Sequence, residues 1–452
     1  MPIAFVINYE IDIFAITHIL SGKINIYDKG SNVLEKILIE GSQKLSGEVS
    51  ITGAKNAAVA ILPATILAGS ACTIKNLPMV KDVTYLRDML IQMGGKIHIL
   101  DKDKISVDTS GIMTHKIDLE LAKRMRASYY FLGALLGRFK KAEVPFPGGC
   151  DIGVRPIDLH LKGLEALGAK IKISHGLIKA KAEKLSGARI YLDVVSVGAT
   201  INIMLAACMA EGITTIENAA KEPYIVDTAN FLNALGASIK GAGTDVIKVK
   251  GVESLGGCEH SVIPDQMEAG TYMIAAAATK GDVLIKNIIP THLDAVSAKL
   301  REMGVAVTEY EDSIRVKAEA RPKAVNIKTM PYPGFPTDMQ QPMSVLLSVS
   351  EGTSIVTESI FESRFKYFDE LRRMGAKIKI EGRVAVIEGV SKLSGAPVYA
   401  TDLRAGAAMV VAGLTAEGKT MISNISYIDR GYERLEEKLI NLGAKIRRVE
   451  EK

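Results

Sequence analysis

The chain has 452 residues, 48% hydrophobic and 24% charged, which is too long for one ordinary core and too apolar for disorder, so two or more domains are expected. Lys and Arg number 56 against 51 Asp and Glu, a formal charge of +5; this mild excess excludes a tail-driven nucleic-acid binder but allows a local basic pocket for an anionic small molecule. Trp is absent and aromatics are 5%, which argues against a base-stacking platform or a Trp-faced carbohydrate site.

The first residues, MPIAFVINYEIDIFAITHIL, are apolar but carry Glu10 and Asp12 and no basic leader. They fail as a signal peptide and are too interrupted to span a bilayer. No other segment has the length to do so, and a soluble, cytoplasmic protein is expected. Cys72, Cys150, Cys208 and Cys258 form no C-x-x-C pair, and the seven histidines form no H-x-H or H-x-x-x-H. No metal site is expected. Scattered cysteines in a long chain suit a reducing compartment. Cys72 and Cys208 lie in apolar runs and read as buried small hydrophobes.

Beyond residue 34 the chain is periodic. The phrase Leu/Met-Gly-small-x-Ile/Val recurs at Gly94, Gly168, Gly236, Gly304, Gly375 and Gly443, at spacings of 74, 68, 68, 71 and 68 residues. A glycine here stops a helix in the left-handed conformation, and the alternating K-I-K-I after it is a half-buried strand. A second mark, small or acidic residue then Gly then a β-rich run, falls at Gly69, Gly212, Gly281, Gly352 and Gly418, with a weaker version near Gly137; Leu-Ser/Gly-Gly opens units at Gly47, Gly187, Gly257 and Gly395. Between the marks lies an amphipathic helix, as in VDTANFLNALGA with Val226, Ala229, Leu232 and Leu235 on one face. One unit is therefore two helices and about four strands. Six units predict an α/β protein of two domains, three units each, with helices packed inside small sheets. Residues 1–34 fall outside the periodicity, and removing them is expected to leave activity intact.

Several groups along the chain carry chemistry. In GAKNA (53–57), Lys55 and Asn56 stand where a strand joins an apolar helix, and a helix N-terminus beside a Lys is an anion site; an isolated G-x-K-N would more often be a solvated Lys beside an N-cap. Arg126 lies at a helix start in KRMRAS. Residues 145–156 are a Pro- and Gly-rich loop with Cys150 in its middle; Arg155 and Pro156 open the next helix. From the loop alone, a reactive thiol and an incidental exposed cysteine are equally open. Ser196, Val197 and Gly198 lead into a helix, as a phosphate contact or an ordinary cap. In the second half Asp338, Arg364, Asp402, Arg404, Asp429 and Arg430 recur near helix starts. Singly these would be caps and surface ion pairs; repetition at one place in successive units argues for more.

Taken together, GAKNA (53–57), MRAS (125–128), PGGCDIGVRPID (147–158), SVGAT (196–200), NAAKEP (218–223), FPTDMQ (335–340), ATDLRA (400–405) and IDRGYER (428–434) resemble the UDP-N-acetylglucosamine 1-carboxyvinyltransferase (enolpyruvyl transferase) family, from about Glu35 onward. The resemblance implies a two-domain inside-out α/β barrel of six βα units. Residues 55–263 would form one domain, with the cysteine lid loop and the nucleotide-sugar contacts. Residues 35–54 with 264–452 would form the other, closing the cleft.

The implied reaction moves the enolpyruvyl group of phosphoenolpyruvate to the 3-hydroxyl of UDP-N-acetylglucosamine by addition and elimination, releasing phosphate, the first committed step of peptidoglycan synthesis and so of cell-wall biogenesis. Cys150 matches the proton donor to C-3, Asp338 the carboxylate facing the attacking hydroxyl, and Lys55 and Arg404 complete the catalytic set. Phosphoenolpyruvate would be held by Lys55, Arg155, Arg404 and Arg430. The nucleotide sugar would lie on Asn56, Arg126, Arg155, Pro156, Ile157, Asp158, Leu159, Ser196, Val197, Gly198, Asp338 and Ile360, with Arg364 nearby. The resemblance implies no cofactor, no metal, no nucleic acid and no membrane partner, and inactivation by fosfomycin at Cys150. A monomer is the default. Two places depart from the family: Val194 where some members carry Lys, and Gln266 where the common phrase has Arg; both bear on affinity and closure. The nearest enzyme alternative, transfer to shikimate 3-phosphate, is disfavoured by the PGGC loop. A silent nucleotide-sugar-binding paralogue is disfavoured by the retained Lys55, Cys150, Asp338, Arg404 and Arg430.

Overall fold

A computed structural model describes residues 34–146 and 157–451. The residues outside it include the N-terminal segment, Cys150, Arg155 and Pro156. The protein is a two-domain inside-out α/β barrel of six units, each made of one inner helix, one outer helix and a small sheet.

The inner helices are α1 (Lys55–Ala64), α2 (Tyr130–Phe139), α3 (Val197–Ala207), α4 (Gln266–Ala278), α5 (Gln340–Ser348) and α6 (Leu403–Thr415). They are rich in Ala, Leu, Ile and Met and carry at most one charged residue each. Each is accordingly buried almost all round; in α3 every residue from Gly198 to Ala207 is. In the first domain α2 packs against α1 and α3; in the second α4, α5 and α6 pack on one another.

The outer helices, Lys81–Gln92, Asp158–Ala166, Pro223–Ala234, Asp294–Glu302, Phe368–Arg373 and Leu435–Asn441, bury only a stripe, such as Val83, Leu86, Met89 and Leu90 of the first. Each runs into one of the six recurrent glycines, and all six have φ between +83° and +108°, the left-handed backbone that ends a helix. Two details differ from the sequence expectation. In Pro223–Ala234 the stripe runs through Ile225 and leaves Val226 half-buried, one residue of rotation from the expected face. In the second unit the turn belongs to Lys140 at φ +56°. Gly137 lies inside α2, where a Cβ would stand 2.8 Å from Leu67; it serves helix packing, not the turn.

Among the described residues there are five four-stranded sheets and one three-stranded sheet. Three are completed by strands from far along the chain. Strand 259–261 pairs in parallel with 71–75. Strand 46–50 pairs in parallel with 282–286. Strand 34–40 lies antiparallel between 419–423 and 445–451.

Two hydrophobic cores result. One is gathered from Ala54 to Val262, the other from Ile37 to Ile51 and Met267 to Ile446. Between them the chain crosses twice, side by side: the Ala54 N–H donates to the Ile263 carbonyl at 2.6 Å and the Asp265 N–H to that of Thr52 at 2.9 Å. Asp265 ties the crossings to a helix on each side. Its Oδ1 accepts from the N–H groups of Met267 and Glu268, capping α4, while Oδ2 accepts from the Lys55 N–H at 3.0 Å, the first residue of α1. No described helix is long and apolar enough to cross a membrane.

Candidate active site

Lys55 is held at both ends. Its backbone sits on Asp265, and its Nζ lies 3.0 Å from Asp82 Oδ2. Asp82 is in the first turn of the outer helix Lys81–Gln92, 1% exposed, and also takes Arg430 Nε at 2.8 Å. Burial works to raise the Asp82 pKa, and the charges of Lys55 and Arg430 more than reverse it, so it lies below the ordinary aspartate value. Lys55 and Asp82 belong to the first domain and Arg430 to the second. The same turn makes two further cross-domain contacts: Lys81 with Asp429 at 2.9 Å, and the Met79 N–H with Glu433 at 2.9 Å.

The second cluster lies wholly in the second domain. Asp338 is in a 3-10 turn (Thr337–Met339) that runs straight into α5. Its Oδ1 accepts from Arg364 Nη2 at 2.7 Å and its Oδ2 from Arg404 Nε at 3.1 Å. Both arginines are 4% exposed. Arg404 stands at the start of α6, which Asp402 caps through the N–H groups of Arg404 and Ala405. Burial opposes ionisation of Asp338, but the two guanidinium groups outweigh it and hold the carboxyl well below the usual carboxylate range. Arg404 is lifted further above its already high value: burial works against the charge, and Tyr432, Asp338 and Asp265 outweigh it.

The two clusters are physically connected. The Arg404 guanidinium lies 5.4 Å from the centre of the Tyr432 ring. The Tyr432 hydroxyl meets Thr271 Oγ1 on α4 at 2.9 Å, and α4 begins on the Asp265 that holds Lys55. Tyr224 of the first domain is half-buried and has its phenol pushed well up, by its removal from water and then by the charges of Glu222 and Asp338; it marks where the Asp338 cluster faces the first domain.

A third group forms one wall of the first domain. Arg126 lies in a 3-10 turn with its guanidinium 5.8 Å from the Tyr129 ring centre. Ile157 is buried, Leu159 half-buried and Asp158 exposed. Ser196 caps α3, its Oγ accepting from the Ala199 N–H at 3.3 Å. His160 joins these pieces. It packs edge-on to Tyr129, and a Cβ on Gly198 would stand 2.6 Å from its ring. Asn56 and Ile360 are half-buried, and Val194 is exposed at 66%.

Sequence reading passed over Asp82, His160, Asp265 as a double cap, and Glu358. Asp82 is an acid in a first helical turn, an ordinary place for one, and its partners are 27 and 348 residues away. Only the repeat comparison held a signal for Glu358, taken up below.

Six units in two domains, with cationic clusters meeting where the domains face, define an enolpyruvyl transferase, and the chain belongs to that family: the family model for EPSP synthase (3-phosphoshikimate 1-carboxyvinyltransferase) matches residues 39–439. Among curated relatives, UDP-N-acetylglucosamine 1-carboxyvinyltransferase 3 of Caldanaerobacter subterraneus is 60% identical over 92% of this chain and 100% of its own length. UDP-N-acetylglucosamine 1-carboxyvinyltransferase of Clostridium botulinum is 59% identical over the same shares. Among solved structures, the enolpyruvyl transferase NikO from Streptomyces tendae aligns with a TM-score of 0.84 at 26% identity, over 93% of this chain and 100% of its own. EPSP synthase from Acinetobacter baumannii aligns at 0.71 and 19% identity over 92% of this chain and 100% of its own, a likeness of fold.

Proposed function

We propose that this protein is a UDP-N-acetylglucosamine 1-carboxyvinyltransferase, moving the enolpyruvyl group of phosphoenolpyruvate to the 3-hydroxyl of UDP-N-acetylglucosamine and releasing phosphate in the cytoplasm. The observation that carries the reading is identity near 60% along the whole length of relatives bearing that name. The two cation–carboxylate clusters fit it chemically.

Phosphoenolpyruvate carries about −2.5 to −3 charge near neutral pH, so it needs several fixed cations. Lys55 and Arg430, converging on Asp82 from two domains, and Arg404, fixed by Asp338, supply them; Arg155 adds a fourth. Because the cations come from both sides of the cleft, the anion itself favours closure. Asp338 faces the 3-hydroxyl of the sugar. Held so far below the carboxylate range, it is a weak base at rest. It accepts a hydrogen bond from the hydroxyl, orients it, and takes its proton as the oxygen bonds to C-2 and the hydroxyl grows acidic. C-3 receives a proton from the Cys150 thiol in the same addition. Loss of a proton from C-3 then expels phosphate and restores the double bond. The uridine nucleotide and sugar rest on Asn56, Arg126, Arg155 to Leu159, Ser196 to Gly198 and Ile360.

The test is phosphate release from phosphoenolpyruvate with UDP-N-acetylglucosamine or shikimate 3-phosphate in parallel. Turnover is expected with the nucleotide sugar alone, and Cys150→Ala is expected to lose it. Fosfomycin is expected to add covalently to Cys150 when the nucleotide sugar is present, read by peptide mass spectrometry. Turnover with shikimate 3-phosphate alone would replace this reading with that of the sister enzyme.

A further inference from the structure

The second repeat mark ends in Asn in four units: Asn76, Asn218, Asn287 and Asn424. All four have φ between +49° and +60°. In three of them the side-chain amide donates to a carbonyl of a neighbouring segment: Asn76 to Val262 at 2.8 Å, Asn218 to Leu192 at 2.7 Å and Asn287 to Ile51 at 2.6 Å. The fifth unit, which bears Asp338 and Ile360, has Glu358 at this place. Its backbone is not left-handed, its side chain is 1% exposed, and its carboxylate accepts where the amides donate.

Four hydrogen bonds reach that carboxylate. Oε1 accepts from Thr329 Oγ1 at 2.9 Å and from the N–H groups of Ile360 and Phe361 at 2.8 and 3.1 Å; Oε2 accepts from Thr337 Oγ1 at 2.9 Å. Thr337 is the residue before Asp338. Phe361 reaches the same aspartate by another route, since its ring lies 5.5 Å from the Arg364 guanidinium, which in turn donates to Asp338. Among the described residues no cation lies within ion-pair distance of Glu358. A buried carboxylate without a counter-ion is costly unless donors satisfy it, so replacing the repeat's Asn with Glu is explained by what the four donors hold together.

We infer that Glu358 is a positioning residue: it fixes the Asp338 turn and the Ile360–Phe361 segment in one frame, so that the carboxylate facing the sugar hydroxyl and the loop beside the nucleotide keep their spacing. This rests on the transferase reading above. Misplacement of a reacting group by about 1 Å can cost on the order of 100-fold.

Glu358→Asn restores the residue of the other units and is too short to reach Thr337. It is expected to lower kcat/KM for UDP-N-acetylglucosamine about 100-fold, while KM for phosphoenolpyruvate changes less than about threefold. Glu358→Gln keeps one oxygen for the backbone donors and offers an amide to Thr337 Oγ1; it is expected to restore kcat/KM to within about fivefold of the unaltered protein. A purely structural role would lower the melting temperature of both variants without separating the two substrates. Should Glu358→Asn not fold, Thr337→Val cuts only the link to Asp338, and kcat is expected to fall about tenfold with an unchanged melting temperature. Unaltered kinetics in a folded Glu358→Asn or in Thr337→Val would overturn the inference while leaving the transferase reading in place. No turnover by the unaltered protein would bring down that reading, and this inference with it.

Discussion

His160 is 4% exposed, and burial, helped by the charge of Arg126, pushes its pKa down to about 3. Asn202 Oδ1 accepts from the Gly133 N–H at 2.8 Å, which leaves the Asn202 amide to donate to His160 Nδ1 at 2.9 Å. The imidazole is therefore neutral, with its proton on Nε2. In the unfolded chain the group titrates near 6.5. The unfolded state binds the extra proton first, so the stability tied to neutral His160 is complete above about pH 6.5 and is lost as pH falls toward 3. Between pH 6.5 and 5 the loss amounts to about 2 kcal/mol. Urea unfolding at a series of pH values is expected to show this slope, and His160→Gln to flatten it; equal slopes in both proteins would assign it elsewhere. For Asp82 the expected readout is kinetic. Asp82→Asn leaves Lys55 and Arg430 without the carboxylate that aligns them, and KM for phosphoenolpyruvate should rise about tenfold or more with nucleotide-sugar affinity unchanged by calorimetry.

The elements use glycine in two ways that separate cleanly by mutation. Gly375 has φ +92°, and a Cβ added there would meet nothing within 4 Å, so Gly375→Ala should cost only the left-handed backbone penalty. That is about 1–2 kcal/mol, or a few degrees in Tm for a domain of this size. Gly133 lies in α2, where a Cβ would stand 2.4 Å from the Asn202 carbonyl oxygen of α3. Gly133→Ala has to push two buried helices apart and is expected to cost about 3 kcal/mol or more, seen as loss of soluble protein or a far larger fall in Tm. The first kind of glycine was legible in the sequence because the six copies share a phrase and a spacing. The alternation after it and the apolar inner helices gave the units and their number. The asparagines of the second mark, the double cap of Asp265 and the cradle around Glu358 were not legible, because each depends on a partner 21 to 236 residues distant. Local pattern reports what a residue does to its own helix or strand; it carries no record of which remote group arrives beside it.

At the scale of the whole molecule the two crossings converge on Asp265. Asp265→Ala removes a cap from α4 and the partner of the Lys55 N–H together. With caps worth roughly 1 kcal/mol each, a loss of about 2 kcal/mol is expected. Calorimetry should show the unfolding transition of the variant broadened toward two components as the domains become less coupled. Unchanged cooperativity would mean that the hydrogen-bonded crossing segments at 52–54 and 263–265 suffice alone.

The placement of strand 34–40 sets a timetable for synthesis. Its neighbours, 419–423 and 445–451, leave the ribosome about 380 to 410 residues later, on the order of 20 to 80 seconds at ordinary elongation rates. The core spanning 54 to 262 can consolidate during that interval, while an Ile- and Leu-bearing strand waits with both edges unpaired. A nascent chain paused short of residue 419 would carry one finished domain and one strand open to a chaperone or to another copy of itself.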